Sequence, residues 1–593
     1  MMSTSEKLTL LRKALHEHGI DTFIIPSSGP HLGEDPPDHW QIIKWLTGFT
    51  GSAATVVITD SFAGLWTDSR YFLQAERQLA GSGIEFVRPE FNQRTDYLDF
   101  ICINTPQGGS IGIDGRIFSV TEYRKLEKRI KNRKITVKPD CDLISALWID
   151  RPLLPFSFAF DHNIKFSGKE RQAKINEVRD EMRKRSADFH LLTSNDDIMW
   201  LLNIRGNDLK YSPLLLSYAL VGEEQILLFI DENKIPVNLA AEFDKLGIVM
   251  LPYEDLSEIT VPVTKRSAVL LNPGTTSINL YKSISKGSGI IEDISIPTRL
   301  KARKNKIEIE NIGSIMIKDG VALTRLFFWF DSNFGKLRMT ENSVSEKLIG
   351  FRSEQKDFLE ASFATIVAFN ENSALPHYKP EEGAEMEIGD RGLLLIDSGG
   401  QYLGGTSDIT RTIPVGIPSV RQKKDFTLIL KGHINLATAK FPYGTMGYQL
   451  DTLARTAMWE SGLNYSHGTG HGVGLCLNVH EGPQSISPAC NRTVIEPGML
   501  TSNEPAIYRD GEYGIRTENL LLCYEDEETE FGKFLKFDTV SLCYIDKSLI
   551  DKSLLDQKEI DWLNSYHSEV YNKLSPYLNE EENLWLRDKT DPL

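Results

Sequence analysis

At 593 residues the chain is too long for one ordinary domain, and about two to four are expected. A net charge of -16, from 82 acidic against 66 basic residues, argues against a protein built to grip the phosphate backbone of nucleic acid. With 41% hydrophobic and 25% charged residues the composition excludes a disordered or fibrous chain.

The N-terminal stretch "MMSTSEKLTLLRKALHEHGIDTFIIP" has no basic-then-apolar secretion signal. Leu8, Leu10, Leu11 and Leu15 fall near helical spacing among charges, which predicts a surface helix leading into a strand. No apolar run approaches the roughly 18 residues of a membrane span, so no membrane association is expected. The 6 cysteines are scattered without a C-x-x-C pair, which points to thiols in a reducing cytoplasm.

The first half of the chain repeats itself faintly. "DTFIIPSS" leads to "WLTGFTGS", "AATVVITD" and the hairpin-like "FAGLWTDSRYF"; further on, "DFHLLTSN" leads to "WLLNIRGN", "LLLSYALV" and "ILLFIDEN". Each copy reads as helix, apolar strand, tryptophan-led helix end and two more strands. Two related α/β domains with mixed sheets covered by helices are expected, over 1–155 and 156–300. The proline-bearing "PLLPFSFAFDHN" is expected to form the hinge between them.

A third domain is expected over 301–593. It starts with "LKARKNKIEIENIGSIMIKDGVALTRLFFWF", whose apolar residues recur at i, i+3 and i+4 as in a long amphipathic helix. Short strands with glycine turns follow from about residue 390. The tail "IDWLNSYHSEVYNKLSPYLNEEENLWLRDK" reads as helix broken at Pro576, packed on the body.

Chemistry-bearing residues concentrate in this third region. "LLLIDSGGQYLGGTSDITRTIPV" ends an apolar run on Asp397 and places Asp408 beyond a glycine-rich turn, so a hairpin could face both carboxylates into one pocket. "LTSNEPAIY" sets Glu504 before a proline, and "YGIRTENLLL" sets Glu518 at the entrance of an apolar strand. A carboxylate there is exposed, paired with a cation such as Arg516, or bound to metal, because burying it alone is costly. "HGTGHGVG" holds His467 and His471 four apart, yet its glycines disfavour a helix by about 1 kcal/mol each relative to alanine. It matches neither H-E-x-x-H nor a phosphate-binding loop. The glycines are read instead as allowing close approach to a substrate or another strand, with one histidine on a metal and the other beside the reacting bond. His480 lies nearby in sequence. Two Asp, two Glu and a His carry more negative charge than one divalent ion needs, so two bridged ions are expected. The donor set favours Mn²⁺, Co²⁺, Fe²⁺ or Zn²⁺, and the chemistry it points to is hydrolysis.

In this order, Asp397, Asp408, His471, Glu504 and Glu518 resemble the ligand set of the pita-bread metallopeptidases, a family that includes methionine aminopeptidase, prolidase and aminopeptidase P. The fuller resemblance is to the large, three-domain cytosolic aminopeptidases P. It rests on "SSGPHLGEDPPDHWQIIKWLTGFTGSAATVVIT", "WTDSRYFLQAE", "WLLNIRGNDLKYSPLLLSYALV", "NVHEGP", "NEPAIYRDGEYGIRTENL" and "WLNSYH". It implies an α/β (α+β) architecture of two creatinase-like N-terminal domains followed by a pita-bread catalytic domain. It also implies a cytoplasmic homodimer with two divalent ions, Mn²⁺ first among them. The implied activity is removal of the N-terminal residue from peptides with proline second, by attack of a metal-bridging hydroxide. By the same resemblance Glu504 also accepts the water proton, His480 steadies the tetrahedral intermediate and His467 stands near the proline. His377 is a further substrate-side histidine, and Tyr508 and Arg516 orient the ligand carboxylates. The rival readings are a prolidase restricted to dipeptides, a catalytically inactive binding module and creatine-type hydrolysis.

Overall fold

The structure, a computed structural model, describes residues 2–88, 96–264, 266–380 and 385–593. The chain forms two compact units: Met1–Asp161 with Arg171–Lys210 and Leu214–Pro297, and His162–Glu170 with Tyr211–Pro213 and Thr298–Leu593.

The first unit opens with the helix Thr4–His18. Ser3 accepts the Glu6 amide while the Glu6 carboxylate accepts the Ser3 amide, and Gly19 closes the helix at φ +58°. Leu8, Leu11 and Leu15 are buried, each worth about 1.5–3 kcal/mol, but Leu10 stays 39% exposed because the stripe follows i, i+3, i+7 and passes it by. The following strand, Thr22–Pro26, pairs antiparallel with Ala54–Thr59 and parallel with Ser110–Ile113. The expected hairpin is Ala54–Thr59 with Ala63–Thr67; "DSRYF" beyond it turns into the helix Phe72–Gln78.

The sheet containing Thr22–Pro26 and the later one containing Phe189–Leu192 share strand order and strand directions. In each, the first strand lies between an antiparallel neighbour from the next hairpin and a parallel neighbour reached through a helix. The short helices Ile42–Thr47 and Asn195–Leu202 precede equivalent strands. The proline-rich segment after residue 151 has no regular structure up to the strand Phe160–Asp161.

The second unit is organised by the helix Lys306–Asn333, capped by Asn305 and Glu308 and burying Ile312, Ile315, Met316, Leu323 and Leu326. Beside it lie the antiparallel strands Ile366–Phe369, Gly392–Ser398 and Ile409–Val415. A six-stranded sheet holds Leu500–Asn503 between Asn519–Thr529 and Gly470–Gly472. The tail forms the helices Gln557–Leu574 and Glu580–Thr590, separated by a 3-10 turn containing Pro576. No helix among the described residues is long and apolar enough to cross a membrane.

In the first unit His31 and His190 are buried, and burial pushes both imidazoles down to about 4 from the ordinary 6.5. Between those values the unfolded chain binds more protons than the folded one. The stability these residues contribute is therefore complete above pH 6.5 and is lost as the pH falls towards 4. Thermal unfolding followed from about pH 7 to about pH 4.5 should show that loss, and His31→Gln or His190→Gln should flatten the slope. An unchanged slope in both variants would contradict this assignment.

Candidate metal centre

The wide hairpin Gly392–Ser398/Ile409–Val415 carries the first two carboxylates. Asp397 sits near the end of its strand, opposite Thr410, and Asp408 immediately precedes the return strand. The intervening glycine-rich segment makes a smaller hairpin of its own, Gly400–Tyr402 with Gly405–Thr406. Asp408 is 4% exposed, and Asp397 9%.

"HGTGHGVG" is not helical; Gly470–Gly472 is a strand wedged between Leu500–Asn503 and Glu481–Ile486. A Cβ on Gly470 would lie 1.9 Å from the Ser502 carbonyl oxygen, and one on Gly472 would lie 2.1 Å from that of Glu481. These glycines serve strand-to-strand approach, which brings His471 into the site from a sheet. His471 Nδ1–H donates to the Gly472 carbonyl at 3.0 Å. Its Nε2 lone pair thus faces the Asp408 carboxylate at 3.4 Å and that of Glu504 at 3.6 Å.

Glu504 follows the strand Leu500–Asn503, and Glu518 occupies the link between Tyr513–Arg516 and Asn519–Thr529. Asp408, His471 and Glu518 each offer a ligand atom, all within 4.8 Å of one another. Arg516, which could have paired with Glu518, turns instead to Asp397, with Nη2 2.5 Å from Oδ2. Glu518 takes a 2.7 Å hydrogen bond from the Thr410 hydroxyl, and that hydroxyl accepts Arg516 Nε at 3.1 Å. Ser502 accepts the His471 amide and donates to Glu504 Oε1 at 3.3 Å. Neither Thr410 nor Ser502 was singled out by sequence. Each lies two positions from an acidic residue, the β-strand repeat that keeps side chains on one face.

Two observations fit a cation site. Asp397 Oδ1 is buried with no hydrogen-bond donor, although its companion oxygen is held by Arg516. Burial raises Glu518 well above the usual carboxylate range and Glu504 to about 7, with neighbouring carboxylates adding to both; burial also raises Asp397, where Arg516 offsets part of the effect. The donor set of Asp397, Asp408, His471, Glu504 and Glu518 has the hardness and charge to hold two divalent ions.

Tyr508 and His467 are linked through Arg516. Its Nη1 donates to the Tyr508 hydroxyl at 2.6 Å, and that hydroxyl donates to His467 Nε2 at 3.0 Å, because His467 Nδ1–H is engaged with the Gly468 carbonyl at 2.6 Å. Burial raises Tyr508 to about 12, so it remains a donor at neutral pH. The His480 ring stands edge-on to His471 at 4.3 Å. His377 is half-buried beside Pro376, whose carbonyl accepts Arg516 Nη2 at 3.4 Å.

Residues 311–525 match the model of metallopeptidase family M24, and 533–593 match its C-terminal region. Residues 7–142 and 150–308 each match a Creatinase/Prolidase N-terminal domain. The chain is 36% identical to Xaa-Pro aminopeptidase 1 of Dictyostelium discoideum, over all of this chain and 97% of that protein. It is 37% identical to aminopeptidase P2 of Arabidopsis thaliana, over 99% of this chain and 88% of that protein. Among solved structures it is similar to an X-prolyl aminopeptidase from Caenorhabditis elegans, described as a cytosolic enzyme with a di-nuclear active site. That likeness has a TM-score of 0.95 at 33% identity and covers 100% of both chains.

Because the raised carboxylates must lose their protons to bind a cation, divalent metal affinity should climb as the pH rises through about 7. Competition of Mn²⁺ against a chelating dye, run on metal-stripped protein at about pH 5.5 and about pH 8, measures this. Asp397→Ala and His471→Ala should each lose bound metal at both pH values. An affinity independent of pH, or full metal retention in both variants, would rule out the site.

Proposed function

The chain belongs to the Xaa-Pro aminopeptidase family of M24 metallopeptidases, and on that premise we propose that it removes the N-terminal residue from peptides with proline in the second position. The observation that carries the reading is the convergence of Asp408, His471 and Glu518 around one point, with Asp397 Oδ1 buried and without a donor. Asp397, Asp408, His471, Glu504 and Glu518 hold two divalent ions, Mn²⁺ first, with Co²⁺, Zn²⁺ or Fe²⁺ as alternatives. When bound, the ions lower the pKa of water and polarise the scissile carbonyl.

The chain's own residues do the remaining work. An Xaa-Pro bond has a tertiary nitrogen without an N–H, so a site that grips an extended backbone through that donor cannot use it. Glu504 accepts a proton from the attacking water at its carboxylate. It returns that proton to the proline nitrogen as the C–N bond breaks, so the proline leaves as a neutral secondary amine. His480, beside His471, steadies the tetrahedral oxyanion. His467, oriented by Tyr508, stands near the proline, and His377 is a further substrate-side histidine. Arg516 favours the ionised form of Asp397 and aims its carboxylate, and binds Tyr508 with its other nitrogen. A cytoplasmic location is supported by the cytosolic description of the C. elegans relative. A homodimer is the assembly the family resemblance implies, and sedimentation should give twice the mass of one chain.

Metal-stripped protein is assayed with and without Mn²⁺ on an Xaa-Pro-Yaa tripeptide, an Xaa-Pro dipeptide and Met-Ala-Ser. Metal-dependent release of the first residue from the tripeptide is expected; cleavage of the dipeptide alone would make the protein a prolidase, and silence on all three a binding module. His467→Ala should lower kcat about 100-fold while bound metal stays at the wild-type level. Loss of metal in that variant would overturn the division of roles between His467 and His471.

A further inference from the structure

The helix Gln557–Leu574 is joined to the metal centre through two buried residues that play no part in the chemistry above. The first is Arg411, one position after Thr410 and 4% exposed. Its Nη1 donates to the carbonyls of Thr410 at 2.9 Å and of Glu518 at 2.6 Å. Its Nη2 reaches the Asn519 side-chain oxygen at 2.8 Å, the Cys543 carbonyl at 2.8 Å and the Tyr566 hydroxyl at 2.9 Å, while Nε donates to the Tyr544 carbonyl at 2.9 Å. These acceptors are carbonyl, amide and phenol oxygens. A buried guanidinium held by dipoles alone gains most where it backs a cluster of carboxylates, which is where Arg411 lies.

Tyr566 comes from the C-terminal helix and is 4% exposed. Its hydroxyl accepts from Arg411 and from the Cys543 amide at 3.3 Å, leaving its single proton for the carbonyl of Ser541 or Cys543, each at 3.0 Å, or the Asn519 side-chain oxygen at 3.3 Å. Through Arg411, the phenol ties the main chain of Thr410 and of Glu518 to the tail.

The second connection runs through His433, fully buried on the helix Val420–Ala437. Burial pushes its imidazole down to about 3, so it is neutral. Nδ1–H donates to the Asn503 carbonyl at 3.1 Å, Nε2 accepts the Asn519 amide at 3.1 Å, and Asn503 donates back to the His433 carbonyl at 2.9 Å. Asn503 and Asn519 face each other across the sheet, immediately before Glu504 and immediately after Glu518. Trp562 of the C-terminal helix lies edge-on against the His433 ring at 6.0 Å and is stacked on Tyr566 at 5.3 Å.

We propose that the C-terminal helix is a positioning element of the metal centre: Tyr566 through Arg411, and Trp562 through His433, fix the strand ends that carry Glu504 and Glu518. This rests on the reading of those residues as metal ligands. A carboxylate holds an ion well only when its backbone is held at the right place, and loss of such outer support lowers metal affinity about 10–100-fold.

The test measures Mn²⁺ affinity by dye competition on folded, full-length Tyr566→Phe, Trp562→Phe, Leu348→Ala and Asp408→Ala, alongside their thermal unfolding. Leu348 is fully buried on the helix Glu341–Ser353, in a core cluster separate from that of Tyr566, so Leu348→Ala is the control for lost stability. Tyr566→Phe should lower affinity about tenfold or more and Trp562→Phe should lower it less, with Leu348→Ala binding like wild type. Unchanged affinity in whichever of the two aromatic variants folds overturns the proposal, as does an equal loss in Leu348→Ala. Asp408→Ala separates the two readings: if it too retains Mn²⁺, the metal-ligand assignment fails, and if it alone loses Mn²⁺, only the positioning role fails.

Discussion

Four carboxylates, those of Asp397, Asp408, Glu504 and Glu518, crowd a space from which water is largely removed, and the architecture of the second unit follows from that constraint. Each would cost several kcal/mol to bury ionised without compensation. One guanidinium, Arg516, answers Asp397, and hydroxyls from Thr410 and Ser502 answer Glu518 and Glu504. That leaves an excess of negative charge and an unsatisfied Asp397 oxygen, a balance which divalent cations reverse. Burial first, and the same repulsion added to it, make Asp397, Glu504 and Glu518 hold protons more tightly.

Such a cluster persists only on a rigid frame, because a carboxylate free to swing would relax towards solvent. The frame is a set of β-elements rather than loops. A wide hairpin brings Asp397 and Asp408 to one end, and a glycine-lined strand is squeezed between two neighbours so that His471 enters from the side. Behind these lie Arg411 and His433, whose bonds go to main-chain atoms next to the acidic residues. The nearest side chains supply charge and geometry; the more distant ones hold the backbone that carries them.

A hydrogen-bonded line runs from Asp397 through Arg516 and Tyr508 to His467. One end is an acidic residue of the cluster and the other a histidine with a fixed tautomer. The geometry couples the electrostatics of the centre to a group on the proposed proline side. Tyr508 remains protonated because burial holds it near 12, so the line has a definite direction of hydrogen bonding at neutral pH.

The acidic and histidine residues could be picked out in the sequence because carboxylates at strand ends and histidines among glycines are costly placements without a purpose. The doubled sheet was legible for a similar reason, since apolar strands and turn residues recur in the same order and local pattern decides strand existence. Which cation meets which anion was not legible. Arg516 is close to Glu518 in sequence, yet it pairs with Asp397 from a distant hairpin, because side-chain reach across packed strands depends on register. The glycines of "HGTGHGVG" could have admitted a substrate or a strand, and only packing against Ser502 and Glu481 selects the strand. Thr410, Ser502, Arg411 and His433 are ordinary polar residues in the sequence, and only their neighbours in space give them a role. Composition and periodicity thus determined the α/β character, the repeated sheets and the chemical types in the site. Partners, tautomers and buried bracing were decided by tertiary structure, because they depend on distances between segments far apart in the chain that no local pattern encodes.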